Sequence, residues 1–547
     1  MKNALALMAG LAVLSACAGQ PSAAVHPPAV VSPDKPPPTL HAAIERAVHL
    51  GPAGTGTTVH LSFGLKPRHP SELAALIASG QTVSPADYAA RFAADPALVA
   101  RAEGAMSAAG FSARWAPGSD LIAADGPAPA AAALLSVDIE AYRLPDGTTF
   151  YATLGDATLP PPIAAVASSV SGLDNYRREW PFAIRPGGLT PTDLLTFYDL
   201  KPLRDAGLDG AGQTIVLPEI DDLPNLKDLD AFASKFGLPA FESLLTIKRD
   251  PNWGTPEKPQ GEAVLDLEII HEIAPAAKMV VYESAADFGH GDRAFDQMVT
   301  DHLGAIISES LGACEADTAS GHRNTYATIQ DRAVAQGMTH FVATGDNGAY
   351  TCGLDQDPAD SFPSTLPTVT AVGGTTVFQS QEGVYFKEVA WGSPLDQSGG
   401  GGGPSQFYAV PTWQKTEATA AGHGMRQVPD VAADADPMSG YAIVFDGQAG
   451  QAGGTSAATP LWAATVALIN QDLKRKGLRQ VGFANPALYY IGENAARFPT
   501  RPFHDVTAGN NLAYEATTGW DFTTGWGSMD GQALDAAWTT YIKGGGG

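Results

Sequence analysis

From Leu189 onward, short apolar runs alternate with amphipathic helical stretches, and this alternation restricts the fold more than any other feature of the chain. Gln213–Pro218, Lys278–Tyr282, Ala305–Ser308, Thr339–Ala343 and Thr368–Val372 are continuous apolar runs of strand length. They lack the polar–apolar alternation of a half-exposed sheet, so each reads as a strand buried on both faces. Helical segments, including Glu262–Ile273 and Asn324–Gln336, lie between them. The pattern predicts an α/β fold, a parallel sheet flanked by helices. Such sheets gather catalytic groups at the carboxyl ends of their strands, so chemistry is expected just past these runs.

The first part of the chain is built differently. Met1-Lys2-Asn3 and the apolar run Ala4–Ala16 have the basic start, short apolar core and small-residue exit of a signal peptide. Leu14-Ser15-Ala16-Cys17 resembles the bacterial lipobox, which makes residues 1–16 a lipoprotein-type signal and Cys17 a lipid anchor. Ala18, in place of an aspartate, favours the outer membrane; ordinary secretion with cleavage near Ala18 is the alternative. Export follows either way. Residues 17–39, rich in Pro and Ala, read as a tether. Thr58–Leu65 alternates like a half-buried strand, and Ser71–Ala78, Ser84-Pro85-Ala86-Asp87 and Pro96–Ala109 signal helices. Strand-like runs follow at Leu121–Ala124, Ala133–Glu140 and Thr148–Leu154. Residues 40–159 are thus expected to be a small α+β domain. Residues 160–187, with Pro160-Pro161-Pro162 and Arg177-Arg178, read as a linker with an accessible cleavage point. The larger domain spans 188–543, and 544–547 is a glycine tail. A chain of 547 residues exceeds one ordinary core, consistent with this division.

Lysine and arginine number 33 against 58 acidic residues, a net charge of −25, which argues against nucleic acid or an anionic membrane surface as partner. It suits a protein working in acid, where carboxylates gain protons, although a solvated acidic surface is the simpler explanation. Cys314 and Cys352 either pair in an oxidising compartment or stay as buried thiols, and their spacing does not decide.

Chemistry is concentrated in three stretches. Gly453-Gly454-Thr455-Ser456-Ala457-Ala458-Thr459-Pro460 sets a serine between small residues at a Gly-rich turn feeding an apolar helix. A substrate backbone has room to approach there; the plain alternative is a tight turn with a serine cap. Glu262 and Asp266 stand four apart in a helical pattern, so they share a face, and two touching carboxyls share a proton. Asp346 lies between Gly345 and Asn347-Gly348 at a strand end. Desolvated and protonated, it has a hydrogen bond to offer an oxyanion, although a turn role also explains it. No histidine has the setting of a catalytic base: His271 lies in a helical stretch behind the carboxyl pair and His423 in a Gly-flanked loop.

Together with Ser308-Glu309-Ser310-Leu311-Gly312 and Glu315, Phe362-Pro363, Thr370–Thr375, Gly399–Ser405, Trp413-Gln414 and Val428–Ala433, these stretches resemble the sedolisin (serine-carboxyl) peptidases. The resemblance implies a subtilisin-like parallel sheet preceded by a ferredoxin-like, kumamolisin-type prodomain that inhibits and assists folding. It implies Ser456 as nucleophile, Glu262 as general base, Asp266 as its orienting partner and Asp346 as oxyanion stabiliser. The implied activity is acid endopeptidase cleavage through a serine acyl-enzyme, by a monomer made as a self-processing zymogen. Leu311 stands where many relatives carry tryptophan, and Glu219 is a candidate outer carboxylate beside Asp221-Asp222. Phe503–Asn510 with Thr517–Asp521 resembles the family's calcium loop. One structural Ca2+ is implied, held by Asp505 and Asp521 side chains and the carbonyls of Val506, Thr517 and Gly519. Rival readings are a tripeptidyl aminopeptidase of the same family, a histidine-dependent subtilisin-like protease, and a catalytically silent, calcium-stabilised surface-binding lipoprotein.

Overall fold

The computed structural model describes residues 40–145, 147–176, 184–185, 188–256, 261–353, 356–380, 383–395 and 397–545. The signal peptide, the tether with Cys17, Arg177-Arg178 and the last two glycines lie outside the described residues.

Four antiparallel strands open the structure: β1 (Thr58–Leu65), β2 (Ser112–Arg114), β3 (Leu121–Pro127) and β4 (Ala167–Ser171), in the order β2-β3-β1-β4. The helices Pro96–Ala108 and Ala128–Leu135 pack their apolar sides (Val99, Ala102, Met106; Ala131, Leu135) on Val59, Leu61 and Phe63 of this sheet. This is the expected ferredoxin-like arrangement. A second sheet, of Val48–Pro52, Glu140–Arg143 and Thr149–Ala152, carries a smaller core around Leu40, Tyr142, Phe150 and Tyr176.

Two expectations are corrected here. Ala133–Glu140 is not a strand: a helix runs to Leu135, because Ala-Pro-Ala-Ala-Ala-Ala-Leu-Leu starts with an early proline and continues in the strongest helix former. Nor is 160–171 a linker. Pro161–Ala164 is a short helix and Ala167–Ser171 is the edge strand β4. Its serines resemble a loop in sequence because they face another polar surface: Ser169 Oγ lies 2.8 Å from Thr325 Oγ1, and Ser171 donates to Asp292 at 2.5 Å.

The larger domain is organised on one sheet, from β5 (Thr214–Ile220), β6 (Leu245–Arg249), β7 (Lys278–Ser284), β8 (Ile306–Glu309), β9 (Thr339–Ala343), β10 (Thr370–Gln379), β11 (Tyr385–Ala390) and β12 (Val431–Asp434). Its order is β6-β7-β5-β8-β9-β10-β11, with β12 also beside β10. All pairings are parallel except β10–β11. One face is covered by α1 (Glu262–Ile273) and α4 (Thr455–Arg475), the other by α2 (Phe288–Asp301) and α3 (Ser320–Ala335). Every residue of α1 is buried, carboxyls included. Cys314 and Cys352 form a disulfide that joins the segment after β8 to the loop after β9. Among the described residues no helix is long and apolar enough to cross a membrane.

The first domain lies against α2 and α3. Added Cβ atoms at Gly289 and Gly321 would stand 2.2 Å from the His60 carbonyl and 1.8 Å from the Val170 carbonyl, so both helix starts must be bare for the backbone to approach. Arg332, 1% exposed, reaches Asp120 of the first domain at 2.9 Å and Asp296 of its own at 2.8 Å. Arg293 binds Asp125 at 2.8 Å, and the His60 and His290 rings sit 4.3 Å apart across the contact.

Candidate active site

The expected serine, carboxyl pair and aspartate converge at the carboxyl ends of the central strands. Ser456 is the second residue of α4, and Gly454 just before it has φ 108°. A Cβ at Gly454 would lie 2.5 Å from Asp346 Oδ2, so the glycine lets the nucleophile's turn seat against the Asp346 loop. Pro460 stands inside the helix. Its missing N–H leaves the Ser456 carbonyl without its helical partner, and that carbonyl accepts from Ser310 Oγ at 3.0 Å. Ser310 Oγ also lies 2.8 Å from both Asp266 oxygens, while the Ser456 hydroxyl points to the Ser310 carbonyl at 3.2 Å. Ser310 therefore links the carboxyl pair to the nucleophile's turn.

Glu262 and Asp266 stand one turn apart at the start of α1, 5% and 0% exposed. Burial, and then the neighbouring Asp266 carboxyl, raise Glu262 well above the ordinary glutamate range. Burial likewise raises Asp266, with the Ser310 hydrogen bond opposing. Two carboxyls so placed hold one proton between them over a wide pH range. Neither Glu262 oxygen has a hydrogen-bond partner within the protein, although Ser456 stands close enough to favour its ionised form. A base with unused lone pairs beside a serine hydroxyl is ready to take that proton. Asp346 Oδ1 accepts from Thr455 N–H at 2.8 Å and Thr455 Oγ1 at 2.9 Å. Burial raises this carboxyl too, with Thr455 opposing, so in acid it carries a proton to donate.

Among the described residues Ser456 hydrogen-bonds to no histidine. His271 is buried, donates its Nε2–H to the Pro239 carbonyl at 2.7 Å and packs on Phe241; His423 is exposed. Glu219, at the end of β5, is buried and raised well above its usual range by burial and then by Asp266. Leu311 lines an apolar cavity with Phe288, Phe295, Tyr326 and Phe362 beside the Ser310 strand end. Ser310 and Thr455 were visible in the sequence only as members of motifs; a serine directly after a buried strand, aimed at the same end of the sheet, was the available signal.

The five residues expected to hold calcium share one loop. Gly519 N–H donates to Asp505 Oδ1 at 3.0 Å and Thr517 N–H to Asp521 Oδ2 at 2.8 Å. Asp521 Oδ1 is taken up by Thr523 and Thr524. Burial raises both carboxyls. Among the described residues no three His, Cys, Asp or Glu side chains are grouped to hold a metal, so an ion here depends on these two carboxylates and backbone carbonyls. An all-oxygen set of this kind suits a hard cation.

Residues 45–176 match the pro-kumamolisin activation domain, and residues 256–527 match the subtilase family. Sedolisin of Pseudomonas sp. (strain 101) is 31% identical over 533 residues, covering 89% of this chain and 88% of the relative. Kumamolisin of Bacillus sp. (strain MN-32) is 33% identical over 443 residues, covering 75% and 77%. The solved Pseudomonas sedolisin, a serine-carboxyl proteinase complexed with pseudo-iodotyrostatin, superposes with a TM-score of 0.59 at 32% identity, over 66% of this chain and all of that one. On its fold, its activation domain and these relatives, this chain belongs to the sedolisin family of serine-carboxyl peptidases.

Proposed function

We propose that this protein is an acid-active endopeptidase made as a zymogen, in which carboxyl groups do the work a histidine does in other serine proteases. Ser456 Oγ attacks the peptide carbonyl carbon as its proton passes to the Glu262–Asp266 pair in its singly ionised form. Asp346, protonated, donates to the oxyanion. The proton then moves from the pair to the leaving nitrogen as the C–N bond breaks, and water resolves the acyl-enzyme by the same route. The observation that carries this reading is the bare Glu262 carboxyl beside Ser456, whose hydroxyl hydrogen-bonds to no histidine among the described residues. The working range lies above the first ionisation of the pair and below that of Asp346, hence in acid.

The first domain serves as inhibitor and folding partner, released by cleavage in the linker. Asp505, Asp521 and the carbonyls of Val506, Thr517 and Gly519 would hold one Ca2+, which braces the loop and takes no part in the chemistry. The enzyme acts on proteins or peptides as a monomer, after export, with Cys17 as lipid anchor.

The test is self-processing. The full chain without residues 1–16, shifted to about pH 4 beside Ser456→Ala, is expected to shed its first domain only when Ser456 is present. Mass mapping of digested denatured protein should then show internal cuts. Successive tripeptides would replace the endopeptidase reading by the aminopeptidase one. A chain that stays intact and inert throughout acid would leave only a binding protein.

A further inference from the structure

We propose that Asp222 positions the general base: its carboxylate clamps the backbone on either side of Glu262 and sets the pH at which that base ionises. This rests on the reading of Glu262 as base. The helix α1 is preceded at its cap by Gly261, which has φ 101° and no side chain with which to cap. The cap is imported from the loop after β5. Asp222 Oδ2 accepts the N–H of Gly261 at 3.1 Å and of Ala263 at 2.9 Å, the residues immediately before and after Glu262. Asp222 is itself held: it is 2% exposed, its Oδ1 accepts Leu223 N–H at 2.8 Å, and the preceding Asp221, at φ 52°, donates its N–H to the Ser284 carbonyl at the end of β7.

A neutral serine or asparagine would cap a helix as well. An anion here is costly to a base that must itself become an anion. Glu262 already faces Asp266 on its own helix and Asp346 from the loop after β9, with Ser456 from α4 favouring its charge. Glu219, on the same β5 end as Asp222, faces Asp266, Asp222, Glu262 and Glu283, the last paired with Arg249. Asp222 disfavours ionisation of Glu262, Asp266 and Glu219 alike. A charged cap at this point therefore does two jobs, fixing the peptide planes that aim Glu262 and holding its proton affinity up.

The two jobs separate by substitution. Asp222→Asn keeps an acceptor oxygen and loses the charge; Asp222→Ala loses both. In the full chain, kcat and KM on a quenched fluorescent peptide are followed from about pH 2.5 to 7, with active sites counted by covalent serine labelling. Both variants are expected to move the acid limb of kcat down by roughly half to one pH unit. Asp222→Ala should also lose about tenfold in kcat with KM within about twofold, because the base is no longer aimed. A role as helix cap alone would lower the melting temperature and leave the limb in place, and that result overturns the proposal. If Asp222→Ala does not fold, the limb of Asp222→Asn decides. Full activity in Glu262→Gln would remove the parent reading; an inactive Glu262→Gln beside an unmoved Asp222→Asn limb would remove this proposal alone.

Discussion

Glu262→Gln is expected to slow self-processing at pH 4 by at least about 10³-fold, and Glu262→Gln with Ser456→Ala to be no slower than Ser456→Ala alone. Glutamine fills the same volume and keeps an acceptor, so the fold and the approach of Ser456 are preserved. What disappears is a group that can take a proton. The nucleophile and its base act as a unit: once the hydroxyl cannot be deprotonated, removing it costs nothing further. Asp346→Ala should lose a smaller factor, on the order of 10²–10³, the worth of one oxyanion donor. The half-time for loss of the first domain, followed by mass spectrometry, measures all of these. Near-additive losses in the double variant would mean that Glu262 and Ser456 do not share one step.

The second large effect is on stability. The full chain carrying Ser456→Ala, which cannot digest itself, is expected to melt on the order of 10 °C lower at pH 8 than at pH 4. The helix α1 buries Glu262, Asp266, Glu268 and Glu272, each raised well above its ordinary range chiefly by burial. Asp120, also buried, and the half-buried Asp331 are pushed up to about 7. A carboxyl raised on folding contributes its full stability below its unfolded pKa, about 4, and loses it as pH climbs through the folded value. For Asp120 and Asp331 that window runs from about 4 to 7. The opposite sign applies to Asp125, Asp287 and Asp301. Against the effect of burial, these are held low by His60 and Arg293, by His290, and by Lys248 respectively, and their contribution fades as acid protonates them. The maximum should therefore lie in mild acid, and scanning calorimetry across pH 2.5–8 locates it. A maximum at or above neutrality would show that the α1 carboxyls are ionised in the folded chain.

The sequence declared the central sheet because strands buried on both faces have a signature no exposed element shares. Thr339–Ala343 and Glu262–Ile273 fall where the apolar runs put them. The edge strand β6 and the antiparallel strand β11 did not stand out: Leu245–Arg249 is half exposed and lysine-bearing, and β11 is broken by exposed Phe386 and Lys387. β4 was hidden for a different reason, since its serines bury against polar partners in the other domain. At the site, spacing alone brought Glu262 to Asp266, but nothing local ties either to Ser456, nearly two hundred positions away. The family resemblance supplied that connection. Asp222 and Ser310 act through hydrogen bonds to groups far along the chain, which no local pattern encodes, and the disulfide was left open by spacing and closed by the fold.

The claim at the centre of this account is that a carboxyl pair activates Ser456. Its most direct test is the rate at which a serine-directed covalent probe labels the processed enzyme between about pH 3 and 8, with the modified residue located by mass spectrometry. The account predicts labelling on Ser456, fastest in acid, falling towards neutrality and lost in Glu262→Gln. Labelling that rises through neutrality, with an inflection near the ordinary histidine value of about 6.5, and that survives Glu262→Gln would contradict it.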